Sequence, residues 1–554
     1  MIEQLFKTKS AEQLISDAEA PDRKMKRTLT ALDLTALGIG AIIGAGIFAM
    51  TGTAAAGQSF QSSIETPVIN YMSSWATGLP VQLGRAGAGP AIVISFVVAA
   101  IVCSFAALCY AEMASMIPVS GSAYTYSYAT LGEFIAWIIG WDLILEYAVG
   151  NIAVAVGWSE FFTKLLYNVA HIRLPLWLVK DYGTAQSLID NSAKLAAFHQ
   201  GQLQLTGKEV EQFTQASQNL TMYSSTDLPT VFGHSIAVNF PAFLIVALLT
   251  ILLIVGIRES ARFNTVAVIV KVFVVVFFIA LGGFYVSPAN WHPFMPNGFP
   301  GLMGGAAIVF FAFIGFDAVS TTAEETRNPQ RDLPIGMFAS LIICTLLYIG
   351  LSLVLTGLKK YTTFADDPAA VTTAIAVTGK SWAEIIISAG GLAGATSVLL
   401  VMQLGQPRIF MAMARDGLLP KYFGRIHPRF RTPHITTIWT GVFVGVVAMV
   451  VDIGSAANLT NIGTMFAFAL VCAGVIVLRK KSPDKPRPFK CPGVPIVPIL
   501  GILLCLVLML SLPIMTWIRF VVWLGIGLGI YFIYGYRNSV LTRQAKAEAL
   551  ATGD

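Results

Sequence analysis

Long apolar runs, separated by short polar segments, dominate the sequence. Clear examples are residues 240–257, 266–286, 335–358 and 494–512, in which Lys271 is the single charged side chain. An α-helix rises about 1.5 Å per residue, so roughly 20 apolar residues cross a hydrocarbon core about 30 Å thick. Runs of this length predict membrane-spanning helices rather than parts of a soluble core.

The apolar pattern predicts twelve spanning helices, named spans 1 to 12 here. In chain order they cover residues 31–56, 90–116, 133–165, 239–257, 262–286, 301–325, 334–357, 383–413, 434–452, 461–478, 495–512 and 516–536. The predicted fold class is therefore an all-α polytopic membrane protein, and the partner expected from this class is the lipid bilayer around it.

Composition supports this class. Of the 554 residues, 55% are hydrophobic and 12% are charged, whereas soluble proteins carry about 25% charged residues. The net charge of +6 does not indicate nucleic acid, because most Lys and Arg lie in short stretches beside apolar runs. The six cysteines show neither metal-ligand spacing nor a disulfide framework, so no metal and no cofactor are expected.

The distribution of Lys and Arg predicts the orientation. These residues concentrate in the short segments on the N-terminal side of the membrane, which the positive-inside rule assigns to the cytoplasm. Residues 1–30 are polar and basic and lack the apolar core of a signal peptide, so span 1 is expected to insert the chain. Both termini are predicted to be cytoplasmic.

Two segments on the outer side are unusually long, 57–88 and 166–238. The simplest interpretation of 166–238 is a solvated insertion without a transport role. The alternative is a lid or a surface that binds a protein partner, and the sequence identifies no such partner. The stretch 122–131, aromatic and polar, is expected to form an amphipathic helix at the cytoplasmic interface.

Spans 1 and 6 contain polar or flexible interruptions. Span 1 carries GIGAIIGAGIF (38–48), and each of its four glycines costs roughly 1 kcal/mol relative to alanine within a helix. Span 6 carries FFAFIGFDAVS (310–320), where Gly315 and Asp317 interrupt the apolar run. An acid at that depth is expensive unless it faces protein or water. The alternative for the glycines is close packing against a neighbouring helix.

The two interruptions occupy corresponding places, at the first helix of each five-helix half. Paired, interrupted helices indicate a transporter built from inverted repeats with a substrate site at the bilayer midplane. Unwound backbone offers N–H groups to a carboxylate and carbonyls to an ammonium group. Such a site suits the zwitterionic head of an α-amino acid.

Lys271 is an ionisable residue inside span 5. It lies nine residues beyond Arg262, about 13 Å along a helix. One interpretation is that the side chain snorkels to the interface. The other is a buried amine that loses and regains a proton during transport.

Four motifs together resemble the cationic amino acid transporter branch of the amino acid–polyamine–organocation superfamily, especially its bacterial members. They are GIGAIIGAGIF, SGSAYTYSYATLGE (120–133), FDAVSTTAEETRNPQRDLP (316–334) and RDGLLP (415–420). The resemblance implies the LeuT-like fold of two inverted five-helix repeats plus two accessory helices. The implied units are a cytoplasmic segment 1–30, a first repeat 31–286 that includes both outer insertions, a second repeat 301–478, a linker with the accessory helices 479–536, and a cytoplasmic tail 537–554.

The resemblance also implies where the head of the substrate binds. The carboxylate would meet the backbone around Gly44, Ala45 and Gly46. The ammonium group would meet carbonyls near Ile43, Phe311 and Ile314, next to Gly315 at the interruption of span 6. Ala45 departs from the pattern, since bacterial relatives often carry a hydroxyl residue there.

Three further roles follow from the resemblance. Lys271 would substitute for the sodium ion of sodium-coupled relatives and so couple transport to protons. Glu146 of span 3 would lie beside the pocket and select cationic side chains; the alternative is a structural hydrogen bond to span 8 or 10. Met402 of span 8 would limit the size of the pocket; the alternative is ordinary core packing.

The loop between spans 6 and 7, EETRNPQRDLP, clusters charges of both signs on the cytoplasmic side. Glu324, Glu325, Arg327 and Arg331 are candidate partners in a cytoplasmic gate. The alternative is a solvated patch of ion pairs with no role in gating.

The sequence contains no evident nucleophile–base pair, phosphate-binding loop or ATP motif, so an enzyme is not expected. The predicted function is proton-coupled uptake of an α-amino acid by alternating access, a proton symport across the plasma membrane of a bacterium. Amino-acid exchange is a second mode of transport. A transceptor, which senses amino acids with little flux, is the alternative of a different class.

Overall fold

The computed structural model describes residues 7–9, 13, 27–58, 63–119, 122–255, 258–365, 367–428 and 432–543. Most of the predicted N-terminal segment 1–30 and of the tail 537–554 lies outside these residues. The α-helices of the described chain are α1 (Ala31–Ile42), α2 (Thr51–Ala56), α3 (Val68–Thr77), α4 (Ile92–Met116), α5 (Ser122–Thr130), α6 (Glu133–Ala170), α7 (Leu176–Val179), α8 (Tyr182–His199), α9 (Gly207–Leu220), α10 (Phe240–Val255), α11 (Arg258–Gly283), α12 (Gly298–Val309), α13 (Pro329–Leu358), α14 (Ala370–Ile375), α15 (Ser381–Arg415), α16 (His434–Ala448), α17 (Ile453–Lys481), α18 (Ile496–Leu510), α19 (Ile514–Ile530) and α20 (Tyr536–Asn538).

The described β-structure is limited to two short antiparallel pairs. β1 (Gly57–Gln58) pairs with β2 (Arg85–Ala86), and β3 (Thr230–Val231) pairs with β4 (His234–Ser235). Both pairs lie within the predicted outer insertions, where they close loops and build no sheet-based core.

Within the described residues, nine helical stretches are long and apolar enough to cross a membrane. Three shorter apolar helices, α10, α16 and α18, accompany them. Each of these stretches coincides with one predicted span, which confirms a polytopic helical membrane protein. The count of twelve crossings and the two inverted repeats stay predictions.

The centre of the bundle is built around α6. This helix has 38 residues, about 57 Å of axial length, and most of its inner side chains are buried. It packs against α15 and α17, while α13 packs against α1 and α4. A helix of this length extends beyond a hydrocarbon core about 30 Å thick, so α6 can contact the predicted outer insertion as well as the spans.

The insertion 166–238 is folded and attached to the bundle. Its helices α7, α8 and α9 enclose a small apolar core of their own that includes Leu176, Leu188 and Ala216. A buried ion pair joins Lys180 of the insertion to Glu160 near the end of α6. Neither interpretation of the insertion specified these contacts, because Lys180 and Glu160 lie on segments that only the packing brings together.

The prediction of an interfacial amphipathic helix at 122–131 was half right. A helix is present at α5, but nearly all its side chains are buried inside the protein. Tyr124 donates a hydrogen bond of 2.6 Å to Asp416, and the Tyr128 hydroxyl lies 3.0 Å from a Glu133 carboxylate oxygen. The tyrosines therefore face carboxylates inside the protein, one nearby and one distant in sequence, and not the membrane surface.

Candidate substrate site

The helix of span 1 breaks where the sequence predicted. α1 ends at Ile42, and Ile43 is extended, with φ −75° and ψ 103°. The chain then passes through Gly44 into a wide helical turn, Gly46–Met50, before α2. A Cβ on Gly44 would overlap Val398 of α15, and one on Gly46 would overlap Ala312 of span 6. The glycines thus lie at an interruption of the helix and also allow close packing against neighbouring helices. Both interpretations of these glycines therefore apply.

Span 6 breaks opposite to span 1. α12 ends at Val309, a tight helical turn covers Phe310–Phe313, and Ile314 is extended. Gly315 has φ +118°, a conformation that L-residues avoid. A Cβ there would come within 2.9 Å of Ala41, so glycine is required both by the backbone and by the approach of α1.

The two breaks share a polar contact. The Tyr348 hydroxyl of α13 lies 3.0 Å from the carbonyl oxygen of Ile42 and 2.9 Å from that of Ala312. Each of these carbonyls lies in the last helical turn before the interruption of its span. A side chain from a third helix therefore satisfies backbone groups that the broken helices leave without an intrahelical partner.

A small cavity lies beside the breaks. Its free volume is about 10 Å³, close to what a single water needs, so an amino acid would enter only after the surrounding helices move apart. The cavity is lined by Ala41, Glu146, Tyr147, Ile314, Gly315, Asp317, Ala318, Val398, Val401 and Met402.

Several predicted site residues meet at this cavity, and others lie one layer behind it. Glu146, Ile314, Gly315 and Met402 line it. The remaining predicted residues are buried close by in the two broken helices: Ile43, Gly44, Ala45, Gly46 and Phe311. The sequence thus located the break correctly and did not separate lining residues from supporting ones.

The structure adds lining residues that sequence reasoning missed. Tyr147 follows Glu146 directly, Val401 directly precedes Met402, and Val398 lies about one turn before Met402. Asp317 was noted only as an interruption, although an acid at mid-depth was the signal that could have assigned it to the site. The walls of the cavity are therefore largely aliphatic. The lining side chains that carry polar groups are Glu146, Asp317 and Tyr147.

Three carboxyl groups lie close to this cavity. Asp142, one helical turn before Glu146, is fully buried, and neither of its carboxyl oxygens has a hydrogen-bond partner. One oxygen of Asp317 is also without a partner. Thr464 of α17 is a polar neighbour of the Glu146 carboxyl, so the structural role of Glu146 toward span 10 stays open beside the role in the pocket.

Lys271 is fully buried and does not reach an interface. Its ammonium donates hydrogen bonds to the carbonyl oxygens of Gly40 and Ile43 at the break of span 1, the latter at 2.8 Å. The Ser397 hydroxyl of α15 lies 3.4 Å away. One side chain thus joins α11, α1 and α15, and the snorkelling alternative is wrong.

The loop between spans 6 and 7 forms a contact that the sequence did not identify. The carboxylate of Glu325 lies 3.8 Å from Arg408 of α15, with both side chains about one-third exposed. The backbone carbonyl of Glu325 accepts hydrogen bonds from the N–H groups of Thr28 and Leu29, and Arg327 N–H donates to Leu29 at 2.9 Å. The loop is therefore tied to the segment before α1 through its backbone. Glu324 directly precedes Glu325, and Arg331 lies in the first turn of α13.

A larger cavity lies under the insertion. Its volume is about 820 Å³, and polar side chains from the insertion, α6 and α17 line it. Its wall includes the ion-paired Glu160 and Lys180 and also Asn458, which accepts a 2.7 Å hydrogen bond from the buried Arg85. The insertion therefore roofs a polar chamber on the side of the bundle where α2 ends.

An apolar bundle in which two broken helices meet beside a buried ammonium defines an integral membrane protein of the solute-transporter class. The family model described as amino acid permease matches residues 29–532, so the chain belongs to the amino acid permease family. This confirms the resemblance seen in the motifs and the expectation that the protein is not an enzyme.

Individual relatives are similar over nearly the whole chain. The branched-chain amino acid permease BcaP of Bacillus subtilis (strain 168) is 44% identical over 539 residues, which is 97% of this chain and 99% of the relative. The methylthioribose transporter of the same organism is 39% identical over 540 residues, again 97% and 99%. The vacuolar cationic amino acid transporter 4 of Arabidopsis thaliana is 34% identical, over 83% of this chain and 64% of the relative.

Proposed function

We propose that this permease is a secondary active transporter that takes up a neutral, branched-chain α-amino acid together with a proton. The observation that carries the proposal is the meeting of two broken helices at a cavity with mainly aliphatic walls, including Ile314, Val398, Val401 and Met402. Broken backbone suits a zwitterionic head, and aliphatic walls suit a branched apolar side chain. The name of the Bacillus relative at 44% identity agrees.

The substrate head would use backbone from both breaks. Its carboxylate would meet the N–H groups around Gly44, Ala45 and Gly46. The Ile43 carbonyl already accepts from Lys271, so Phe311 and Ile314 are left as the main carbonyl partners of the substrate ammonium group. Met402, which lines the cavity, would set the largest side chain that fits.

Coupling would run through Lys271. A charged ammonium binds the break of span 1 to α11 and α15 far more strongly than a neutral amine would, because unit charges interact strongly at low dielectric. Loss of the proton would loosen this contact and allow the other side of the site to open. The Glu325–Arg408 contact and the backbone bonds to Thr28 and Leu29 would then act as the cytoplasmic gate.

The proposed architecture is the LeuT-like arrangement of two inverted five-helix repeats within twelve spans. Its support is that the breaks of spans 1 and 6 face each other, as corresponding helices of inverted repeats do. The positions of Lys and Arg favour cytoplasmic termini. The Bacillus relatives favour the inner membrane of a bacterium.

The deciding experiment is uptake of radiolabelled substrates into proteoliposomes with an imposed pH gradient. Leucine, isoleucine and valine should accumulate with the gradient, and arginine should not. Methylthioribose belongs in the panel because the relative at 39% identity is named for it. Transport of methylthioribose without any amino acid would overturn the proposal.

Two alternatives give distinct results in the same assay. An exchanger would move labelled leucine only into vesicles preloaded with an amino acid, whatever the pH gradient. A transceptor would bind leucine at equilibrium and show little flux under either condition.

A further inference from the structure

The segment between β1 and β2 carries an amphipathic helix with an uncovered apolar face. α3 presents Met72 and Trp75 on one side, and the chain that follows adds Leu79 and Leu83; Trp75 is 90% exposed and the other three are at least half exposed. Positions 72 and 75 are spaced so that their side chains share a face of the helix; Leu79 follows the left-handed Gly78 that ends it. No charged residue lies between Glu65 and Arg85.

The N-terminal end of α3 is bonded to the bundle, so this exposure is not that of a loose loop. Backbone hydrogen bonds join Val68 N–H to Leu512 and Ile514 N–H to Thr66, at 3.3 and 3.2 Å. In the first turn of the helix, Asn70 donates to the carbonyl of Gln82 at 2.9 Å and so holds the returning chain.

The attachment point fixes the depth of α3. Residues 511–513 form the turn between α18 and α19, two apolar helices that also leave large side chains such as Leu503 and Val521 exposed. In a membrane protein of this family those faces contact lipid, and the turn marks the level where the spans leave the hydrocarbon. The apolar face of α3 therefore continues the lipid-facing surface at its edge.

We propose that α3 is a membrane-interface helix whose Met72–Trp75 face, together with Leu79 just beyond the helix, is inserted into the lipid headgroup region on the side of the protein that carries the insertion 166–238. Tryptophan is favoured at that level, since its ring is apolar and its N–H is polar. Residues 66–84 carry no charged side chain, so no charge has to be desolvated when α3 inserts into the headgroup region. This anchor would hold the outer end of span 1 at the bilayer surface, and it does not depend on which solute is carried.

The test is the depth of spin labels in proteoliposomes. Trp75→Cys carries a nitroxide on the proposed lipid face, and Ser73→Cys is the matched control on the exposed opposite face, about 160° away around the helix. The six native cysteines are buried, so the labelled wild-type chain gives the background. Met72→Cys repeats the measurement in case replacement of Trp75 disturbs folding.

Collision rates with oxygen, which partitions into lipid, and with a water-soluble nickel chelate report the environment. We expect an oxygen-to-nickel ratio several-fold higher at positions 72 and 75 than at 73, unchanged when the protein is diluted with lipid. Equal access to nickel at all three positions would overturn the proposal. Spin–spin broadening at 75 that disappears on dilution would also overturn it, because the face would then cover a second copy of the chain.

Discussion

The ammonium of Lys271 donates a hydrogen bond of 2.8 Å to the carbonyl oxygen of Ile43, the first non-helical residue of span 1. A charged side chain from one helix thus satisfies backbone that another helix leaves exposed by breaking. Because Ile43 directly precedes the proposed carboxylate site, a change in the charge of Lys271 would act on the same stretch of backbone that binds substrate.

Lys271→Ala should separate binding from energy coupling. The variant keeps the backbone groups proposed to hold the substrate, so we expect leucine binding to survive while accumulation under a pH gradient falls to the level seen without one. Ser397→Ala is the control, since it removes the weaker 3.4 Å contact of Lys271 and leaves the amine in place. Equilibrium binding and proteoliposome uptake are measured on the same preparations; full accumulation by Lys271→Ala would remove the lysine from the mechanism.

Gly315→Ala should destabilise the protein and abolish substrate binding. The left-handed conformation alone costs an L-residue about 1–2 kcal/mol, and the added Cβ would also press on Ala41 at 2.9 Å. Gly529→Ala in α19 is the matched control: its Cβ would meet open space, and alanine favours a helix by about 0.5–1 kcal/mol. Thermal unfolding in detergent and binding of labelled leucine check both variants; binding like that of wild type in Gly315→Ala would contradict the assigned site.

Met402→Ser should widen the substrate range toward longer side chains. The Met402 side chain lines the cavity and faces Gly150 of α6, so truncation adds room where the side chain of the substrate would lie. Met402→Leu nearly conserves volume, typically costs less than about 1.5 kcal/mol in stability, and should keep the native range. Competition of labelled leucine by unlabelled phenylalanine, methionine and arginine provides the readout; identical profiles for the two variants would return Met402 to ordinary core packing.

The buried ion pair between the insertion and α6 should be worth far more than an exposed one. Lys180→Met leaves Glu160 buried without its partner, which typically costs about 3–5 kcal/mol. Lys360→Met breaks the ion pair between Lys360, whose side chain is 48% exposed, and Glu211, whose side chain is 35% exposed. Loss of this exposed pair should cost less than about 1 kcal/mol. Unfolding temperatures of the two variants make the comparison, and equal shifts would show that the insertion is not held by this pair.

The same pair predicts a pH dependence. Burial lowers the pKa of Lys180, but Glu160, Tyr223 and Asp181 together outweigh it and raise the pKa above the ordinary lysine value of 10.5. The stabilisation should therefore be fully present below pH 10.5 and be lost only at still higher pH. Attachment of the insertion is expected to be unaffected near neutral pH.

The sequence by itself determined the class of the protein and the places of its two helix breaks. Apolar runs of membrane length predicted the spanning helices, since insertion into lipid depends on the composition of each segment and little on its neighbours. The glycines around Gly44 and the Gly315–Asp317 interruption located both breaks, because residues that disfavour a helix act locally on the backbone.

Tertiary structure alone decided which groups meet. The partner of Glu325 is Arg408, which lies on another helix, and the tyrosines of α5 turn inward toward Asp416 and Glu133. Local periodicity describes one helix at a time and gives no information on which neighbour covers which face. The attachment of the insertion through Lys180 and Glu160, and the reach of Lys271 to Ile43, likewise follow from the packing of helices, since a charge finds its partner only when the bundle brings distant segments together.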